Sequence, residues 1–376
     1  VPAHQAGPAA GPGGTSSPAA GRAPLTYRSA GVDIVAGEQA VDRIASLAAS
    51  TARPEVLGGI GGFAGRFAWP GDRYRQPILV ASTDGVGTKL QVARAVGRFD
   101  GIGLDLVAMC VDDLVCVGAE PLFLLDYLAV GRLDPDRVET VVAGIADGCR
   151  QAGCALLGGE MAEHPGAMAD DDLDVAGFAV GVVEVDQQLG PDRVVAGDVL
   201  VGLASPGLRS NGYSLARRAL LEVAGRRLDE PAWPGADRAL GDELLVPSVI
   251  YAPTVRSVLA AVGTGGLHAV AHVTGGGIAG NLRRVLPAGV AAEVELGRWE
   301  VPRIFDEIRR AGPVADEEMA AVCNLGVGMV LVVAEAAVDR VLATVGDAVP
   351  GGAMVVGRTM ASSAAGGRAV TLRGAW

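Results

Sequence analysis

Apolar runs of strand length alternate along the chain with segments whose apolar residues return every three or four positions. Residues 77–82 (PILVAS) form a short, nearly continuous apolar run and predict a buried strand. Residues 104–117 have helix length and stop at Gly118. Asp134-Pro135 predicts a helix start, because Asp is a good N-cap and Pro suits the first helical position. That helix carries Val138, Val141, Val142 and Ile145 on one face and closes near Gly153. A short strand at 155–157 then empties into GGE (158–160), and 174–185 reads as a long strand. Beyond the turn-rich LGPDRVVAGD (189–198) come a strand at 199–204, the loop SPGLRSNG (205–212) and a helix from Tyr213. Residues 268–273 read as a strand running into TGGG (274–277) and a helix through Leu286, and 324–333 as a further strand. No internal repeat is visible. The alternation predicts an α/β or α+β class, and 376 residues suit two domains, at 25–188 and 189–376.

The helix LDLVAMCVDDLVC (104–116) is apolar around nearly its whole circumference, which predicts burial. Asp105, Asp112 and Asp113 interrupt it within about one quadrant at 100° per residue. Buried carboxylates are costly unless paired or metal-bound, so the helix is expected to turn an acidic cluster toward a site.

TDGVGTKL (83–90) follows the first strand. It has the glycines and lysine of an anion-binding loop but lacks the Gly directly before Lys of the common phosphate loop. Asp84 stands at its mouth. With Asp84, the Asp112/Asp113 pair and Glu160 at element ends or in the helix, the pattern suits Mg²⁺, which is usually held by one or two carboxylates plus substrate phosphates. On that reading Asp84 holds the metal, while Lys89 and the loop N–H groups meet phosphate oxygens. TGGG and SNG (210–212), each before a helix, are further candidate anion cradles. GGIGGFAG (58–65) contains a G-x-G-x-x-A match, but the EVL before it is a poor strand and no dinucleotide fingerprint is read there. Of four histidines, His272 lies beside the TGGG loop and is the candidate for acid–base work or phosphate contact. No G-x-S-x-G and no cysteine in a polar setting offers a nucleophile.

Composition narrows the partners. A formal net charge of -12 argues against nucleic acid or an anionic membrane, and leaves a small anionic substrate bound by local cations and N–H groups. Five cysteines without a C-x-x-C pair read as buried thiols of a reducing compartment. No segment reaches the ~18–20 apolar residues of a membrane span, so a cytoplasmic protein is expected. Residues 1–24 are nearly all Ala, Gly, Pro and Ser, lack the apolar stretch of a secretory signal, and are expected to be a disordered tail.

Taken in order, AGVD (30–33), RPEVLGGIGGFAG (53–65), TDGVGTKL, DLVAMCVDDLV (105–115), GAEPLFLLDY (118–127), GGE-AE-PG (158–166), SNGYSL (210–215), H-TGGG (272–277) and NLGVGM (324–329) closely resemble the phosphoribosylformylglycinamidine cyclo-ligase (aminoimidazole ribonucleotide synthetase) family. The likeness runs from Thr26 to the C-terminus. AEPLFLLDY and the GGE-AE-PG stretch favour this family over its wider relatives, the amidotransferase-linked amidine synthetase, thiamine-monophosphate kinase and selenophosphate synthetase. The resemblance implies a homodimer of two-domain subunits. Its N-terminal mixed sheets would form a barrel across the interface, with α/β C-terminal domains outside and ATP and Mg²⁺ at the cleft. It implies ATP-dependent closure of the imidazole ring of a ribonucleotide. Carried onto this chain, Asp84, Asp113 and Glu160 would hold metal, and Asp84, Gly85, Gly87, Thr88, Lys89, Gly159 and Glu160 would bind ATP. His272, Lys89 and Asp113 would be catalytic; Gly61, Gly62, Arg209, Ser210, Asn211, Thr274, Gly275, Gly276 and Gly277 would meet the substrate. The chain departs from the family at Arg28 (often Lys), Asp112 (commonly Asn), Met161 (usually Thr), Arg209 (usually His) and Gly280 (commonly Glu). A paralogue acting on a different amide or amidine is therefore the second reading. A non-catalytic nucleotide binder is the third, and it has no need of the whole acidic set.

Overall fold

In the computed structural model, residues 25–362 and 367–376 are described; the expected tail at 1–24 lies outside them. The first half contains α1 (Ile34–Ala49), β1 (Pro77–Gly85), α2 (Lys89–Val96), α3 (Ile102–Cys116), β2 (Glu120–Val130), α4 (Pro135–Ala152), β3 (Ala155–Glu163) and β4 (Leu173–Glu184). The second contains β5 (Val199–Ala204), α5 (Tyr213–Arg217), α6 (Leu240–Leu244), α7 (Ala252–Val262), β6 (Leu267–His272), α8 (Gly277–Leu282), β7 (Val290–Glu295), α9 (Arg303–Ala311), α10 (Asp316–Val322), β8 (Val327–Val333), α11 (Val338–Val345), β9 (Ala353–Ala361) and β10 (Val370–Arg373).

The caps behave as their chemistry requires. The Asp134 side chain accepts from the N–H of Asp136 at the start of α4, and Gly153 closes that helix in the left-handed conformation. Asp33 caps α1 in the same way, accepting from Val35 and Ala36. The carboxylate of Glu163 then fastens this entry to the sheet, taking the Asp33 N–H at 2.7 Å and the Leu133 N–H at 2.7 Å.

The first sheet has the order β1-β4-β2-β3; β4 is antiparallel to both neighbours and β2 is parallel to β3, so it is mixed, as expected. In β4, Leu173, Val175 and Ala179 are buried, and Phe178 on the opposite face is exposed. The register puts Leu79 of β1 and Tyr127 of β2 on that same exposed face.

The second sheet, β10-β7-β9-β5-β8-β6, departs from the expected α/β pattern. Only the β10–β7 pair is parallel and every other pairing is antiparallel, an α+β arrangement. Helix α3 lies between the two sheets, against β1 and β4 on one side and α7 and β6 on the other, within one core that draws residues from both halves. The apolar circumference of α3 is therefore explained by burial on nearly all sides, and the functional groups gather where its C-terminal half meets the ends of β1 and β6.

Candidate active site

Asp113 and His272 meet across the junction. The His272 Nδ1 lies 2.9 Å from Asp113 Oδ1, and Ser82 of β1 donates its hydroxyl to Asp113 Oδ2 at 3.1 Å. His272 is buried at the end of β6, while the Asp113 side chain remains 44% exposed and so opens to the cleft. Both line a groove of about 380 Å³ that also includes Arg284. Burial pushes the Asp113 carboxyl up, but the bonds from His272 and Ser82 outweigh it and leave the group below its ordinary value. Asp84 moves the other way. Partial loss of water around its carboxyl group raises it, the Gly85 N–H at 2.7 Å opposes this, and the negative charge of Asp113 adds to the rise. Two neighbouring carboxylates with values pushed apart, one of them short of cations, form a pair ready for a positive partner.

The three carboxylates of α3 do not face one site together. Asp105 is fully buried, 2.6 Å from the ammonium of Lys89, and its Oδ1 accepts from the Ser248 N–H at 2.8 Å and hydroxyl at 2.6 Å. Asp112 is fully buried against Arg209 at 2.8 Å, and its Oδ1 takes the N–H groups of Tyr251 and Ala252 at the start of α7. Only Asp113 reaches the cleft.

Lys89 is accordingly corrected. Its ammonium has no exposed surface, donates to the Val246 carbonyl at 2.9 Å and lies over the Tyr213 ring. The strand β1 continues through Gly85, so the loop is only Val86–Thr88 and α2 begins at Lys89 itself, which turns the side chain into the domain junction. Arg209 is corrected likewise. It is 1% exposed, and its guanidinium is committed to Asp112, the Val249 carbonyl and His272, not to an open anion site.

The two glycine-containing loops of the second half do come together. Asn211 Oδ1 accepts from the Gly275 N–H at 3.0 Å, and Asn281 donates to the carbonyls of Thr274 and Gly277. Gly277 has φ +61, and a Cβ there would stand 2.0 Å from the Ala320 carbonyl oxygen, so the turn requires glycine. Gly275 and Gly276 are exposed, Ser210 is half-buried, and Thr88 beside the first loop reaches Ser214 Oγ at 3.2 Å. The phosphate-type loop and the SNG loop are thus neighbours.

Glu160 stands apart from the Asp84–Asp113 pair of the expected metal set. GGE is not a loop after a short strand; β3 runs on through Glu163. Since β3 and β1 are opposite edges of the sheet, Glu160 lies about 14 Å from the Asp84 strand at ~4.8 Å per strand. The register also puts it on the exposed face beside Tyr127. Among the described residues no three His, Cys, Asp or Glu side chains converge as a metal cluster, which leaves Asp84 and Asp113 as the acidic pair.

Gly159, Glu160, Gly61 and Gly62 instead line a cavity of about 610 Å³ between α1 and the strands β2 and β3. Its polar feature is Asp126, absent from the sequence-derived set. No side chain pairs with this carboxylate among the described residues, and burial pushes it up to about 7. A Cβ on Gly159 would fall 1.6 Å from Asp126 Oδ1, so the glycine makes room for it. A signal was available, since Asp126 is the one charge in the apolar run LFLLDYLAV, the anomaly that singled out the α3 carboxylates. Met161 packs onto the core from the wall of the same cavity.

Residues 74–183 match the family described as AIR synthase related protein, N-terminal domain, and residues 195–368 its C-terminal domain. The chain is 51% identical to the phosphoribosylformylglycinamidine cyclo-ligase of Trichlorobacter lovleyi over 84% of its length and 90% of that protein's. It is 53% identical to the enzyme of that name from Sorangium cellulosum over 85% and 90%. Among solved structures, hydrogenase maturation protein HypE in complex with ATP aligns with TM-score 0.63 at 21% identity, covering 88% of this chain and 90% of that one. Thiamine-monophosphate kinase from Stenotrophomonas maltophilia aligns with TM-score 0.63 at 23% identity over 89% and 95%. At such identities these two establish the fold alone. At about half identity over most of both chains, with both domain families in order, the protein belongs to the phosphoribosylformylglycinamidine cyclo-ligase family.

Proposed function

We propose that the protein closes the imidazole ring of formylglycinamidine ribonucleotide, giving aminoimidazole ribonucleotide with release of ADP and phosphate, in purine biosynthesis. The observation that carries this reading is the Asp113–His272 pair at the junction of α3 and β6, with Asp84 of β1 close enough to feel both charges and the two glycine-bearing loops beside them. The formyl amide oxygen attacks the γ-phosphorus of ATP and ADP leaves. The substrate's own amidine nitrogen then attacks the activated carbon, and phosphate departs from it. Such chemistry needs positioning and neutralisation of charge more than a protein nucleophile.

Asp84 and Asp113 have the oxygen donors and the unbalanced negative charge that a magnesium ion takes together with phosphate oxygens. When bound, the ion would neutralise the phosphoryl charge. Gly85, Gly87 and Thr88 would face the phosphates. Ser210, Asn211, Thr274 and the exposed Gly275 and Gly276 would meet the ribonucleotide, with Gly277 fixing their turn. The cavity bearing Asp126, Gly61, Gly62, Gly159 and Glu160 would take the remaining part of a nucleotide. Arg209 is held by internal partners and Met161 rests on the core, so neither departure supports a different substrate. The apolar open face of the first sheet supports a homodimer. A soluble cytoplasmic enzyme fits the absence, among the described residues, of any helix long and apolar enough to cross a membrane.

The test is ADP release with and without formylglycinamidine ribonucleotide. Ribonucleotide-dependent release, abolished in Asp84→Asn and Asp113→Asn variants that melt like the parent, is the expected result. Release that ignores the ribonucleotide would refute the assignment.

A further inference from the structure

We propose that Arg209 is a positioning residue that fixes the tautomer of His272 and, through it, the orientation of the Asp113 carboxylate. The catalytic consequence rests on the cyclo-ligase reading; the tautomer itself does not. The Arg209 guanidinium nitrogen Nη2 lies 3.1 Å from His272 Nε2. Guanidinium has five donors and no acceptor and keeps its proton in proteins. Nε2 must therefore accept and carry no hydrogen, and the ring's proton is on Nδ1, aimed at Asp113 Oδ1 at 2.9 Å. Ser82 fixes Oδ2. Both Asp113 oxygens are thus anchored, and His272 acts as a neutral donor that aims the carboxylate instead of serving as a proton shuttle at Nε2.

Arg209 is itself over-determined. It donates to the Val249 carbonyl at 2.8 Å and to Asp112 Oδ2 at 2.8 Å, and its guanidinium carbon lies 4.7 Å from the centre of the Tyr251 ring. Its φ of +62 is a left-handed conformation uncommon for a side-chain-bearing residue, kept where surrounding contacts dictate it. The path from Asp112 through Arg209 and His272 returns to Asp113, the next residue of α3. Two adjacent carboxylates of one helix thus hold both ends of a relay that runs through the second half of the molecule. The departures at 112 and 209 are one coupled arrangement.

Histidine-selective ¹⁵N NMR on the full chain tests this directly. Only four histidines contribute, and a His272→Gln variant assigns the signal. The expected spectrum shows a neutral ring protonated at Nδ1; protonation at Nε2 would overturn the proposal. Asp112→Asn with Arg209→Met removes both buried charges together, so neither is left unpaired. This variant is expected to melt near the parent and to show mixed tautomers. Its kcat should fall about tenfold or more, with KM for ATP and ribonucleotide within about twofold. Arg209→Lys, which keeps a donor opposite Nε2, should recover part of the rate. A folded double variant with parental kcat and parental spectrum refutes the proposal. Should the double variant not fold, the parent spectrum decides alone. A parent that shows the Nδ1 tautomer but no ribonucleotide turnover refutes the cyclo-ligase reading and leaves the tautomer standing.

Discussion

Lys89 is the only lysine in the chain; the other cationic positions are arginine. Its slot explains the choice. The compact ammonium sits between Asp105, the Val246 carbonyl and the Tyr213 ring, and a point charge with three donors suits those partners. Burial lowers the lysine's pKa, and the Asp105 charge opposes the fall. Removing one partner of such a pair strands the other, at a cost of about 3–5 kcal/mol. Lys89→Met should therefore lower unfolding free energy by that order in urea titration. Adding Asp105→Asn, which keeps an acceptor for Ser248, should restore most of it. An amine-reactive reagent should leave Lys89 unmodified in the native protein and modify it once unfolded; ready modification of the native protein would put the ammonium back in the cleft. The sequence singles out Asp84, Asp113 and His272, which the fold brings to one junction, because polar groups at the ends of apolar elements have few structural explanations. It misplaces Lys89 and Arg209 because a motif fixes where a Cα sits, not which way a long side chain turns. Their partners, Asp105 and Asp112, are 16 and 97 residues away, and such pairings leave no trace in one sequence.

At the scale of elements, strand and helix cores are legible in the sequence, whereas a strand end at consecutive glycines is not. The 134–153 helix is legible because its cap, proline and closing glycine agree. The pattern ends the GGE strand early because consecutive glycines usually mark turns; here Gly159 marks the close approach of Asp126. The Glu120 cluster, too, was invisible to local pattern, since it collects partners from separate elements. Glu120 opens β2 and meets Arg53 at 2.9 Å, the Tyr74 hydroxyl at 2.8 Å, Arg73, and Arg256 of α7 at 3.1 Å. Burial would raise this carboxyl, but Arg73, Tyr74 and Arg53 dominate and hold it at about 2, against an ordinary 4.5. Because the folded value is the lower one, the stabilisation is complete above about pH 4.5 and is lost as pH falls toward 2. The shift corresponds to at most roughly 3 kcal/mol. Glu120→Gln should be destabilised at pH 7 in chemical denaturation, with the gap to the parent closing as the pH is lowered through that window. A gap that does not change with pH would show that Glu120 contributes by packing alone.

For the whole molecule, the unanswered physical demand is the outer face of the first sheet. Leu79 is 65% exposed, Phe178 43% and Tyr127 41%, all on one face of a four-stranded sheet whose other face packs on α3 and α4. An antiparallel or mixed sheet can leave one face to water, but that face is then normally polar. Large apolar side chains gathered on it mark an interaction surface. A second copy related by a twofold axis offers the same surface in return, so each sheet can cover the other without any new chemistry. Sedimentation equilibrium at micromolar concentration should give twice the chain mass, with a melting temperature that rises with protein concentration. Leu79→Asp combined with Phe178→Asp places like charges on both copies of the face and should shift the mass to that of one chain. Circular dichroism of that variant should stay near the parent's, because neither side chain belongs to the core. A parent that sediments as a single chain, or a doubly substituted protein that remains a dimer, would assign the apolar face to something other than self-association.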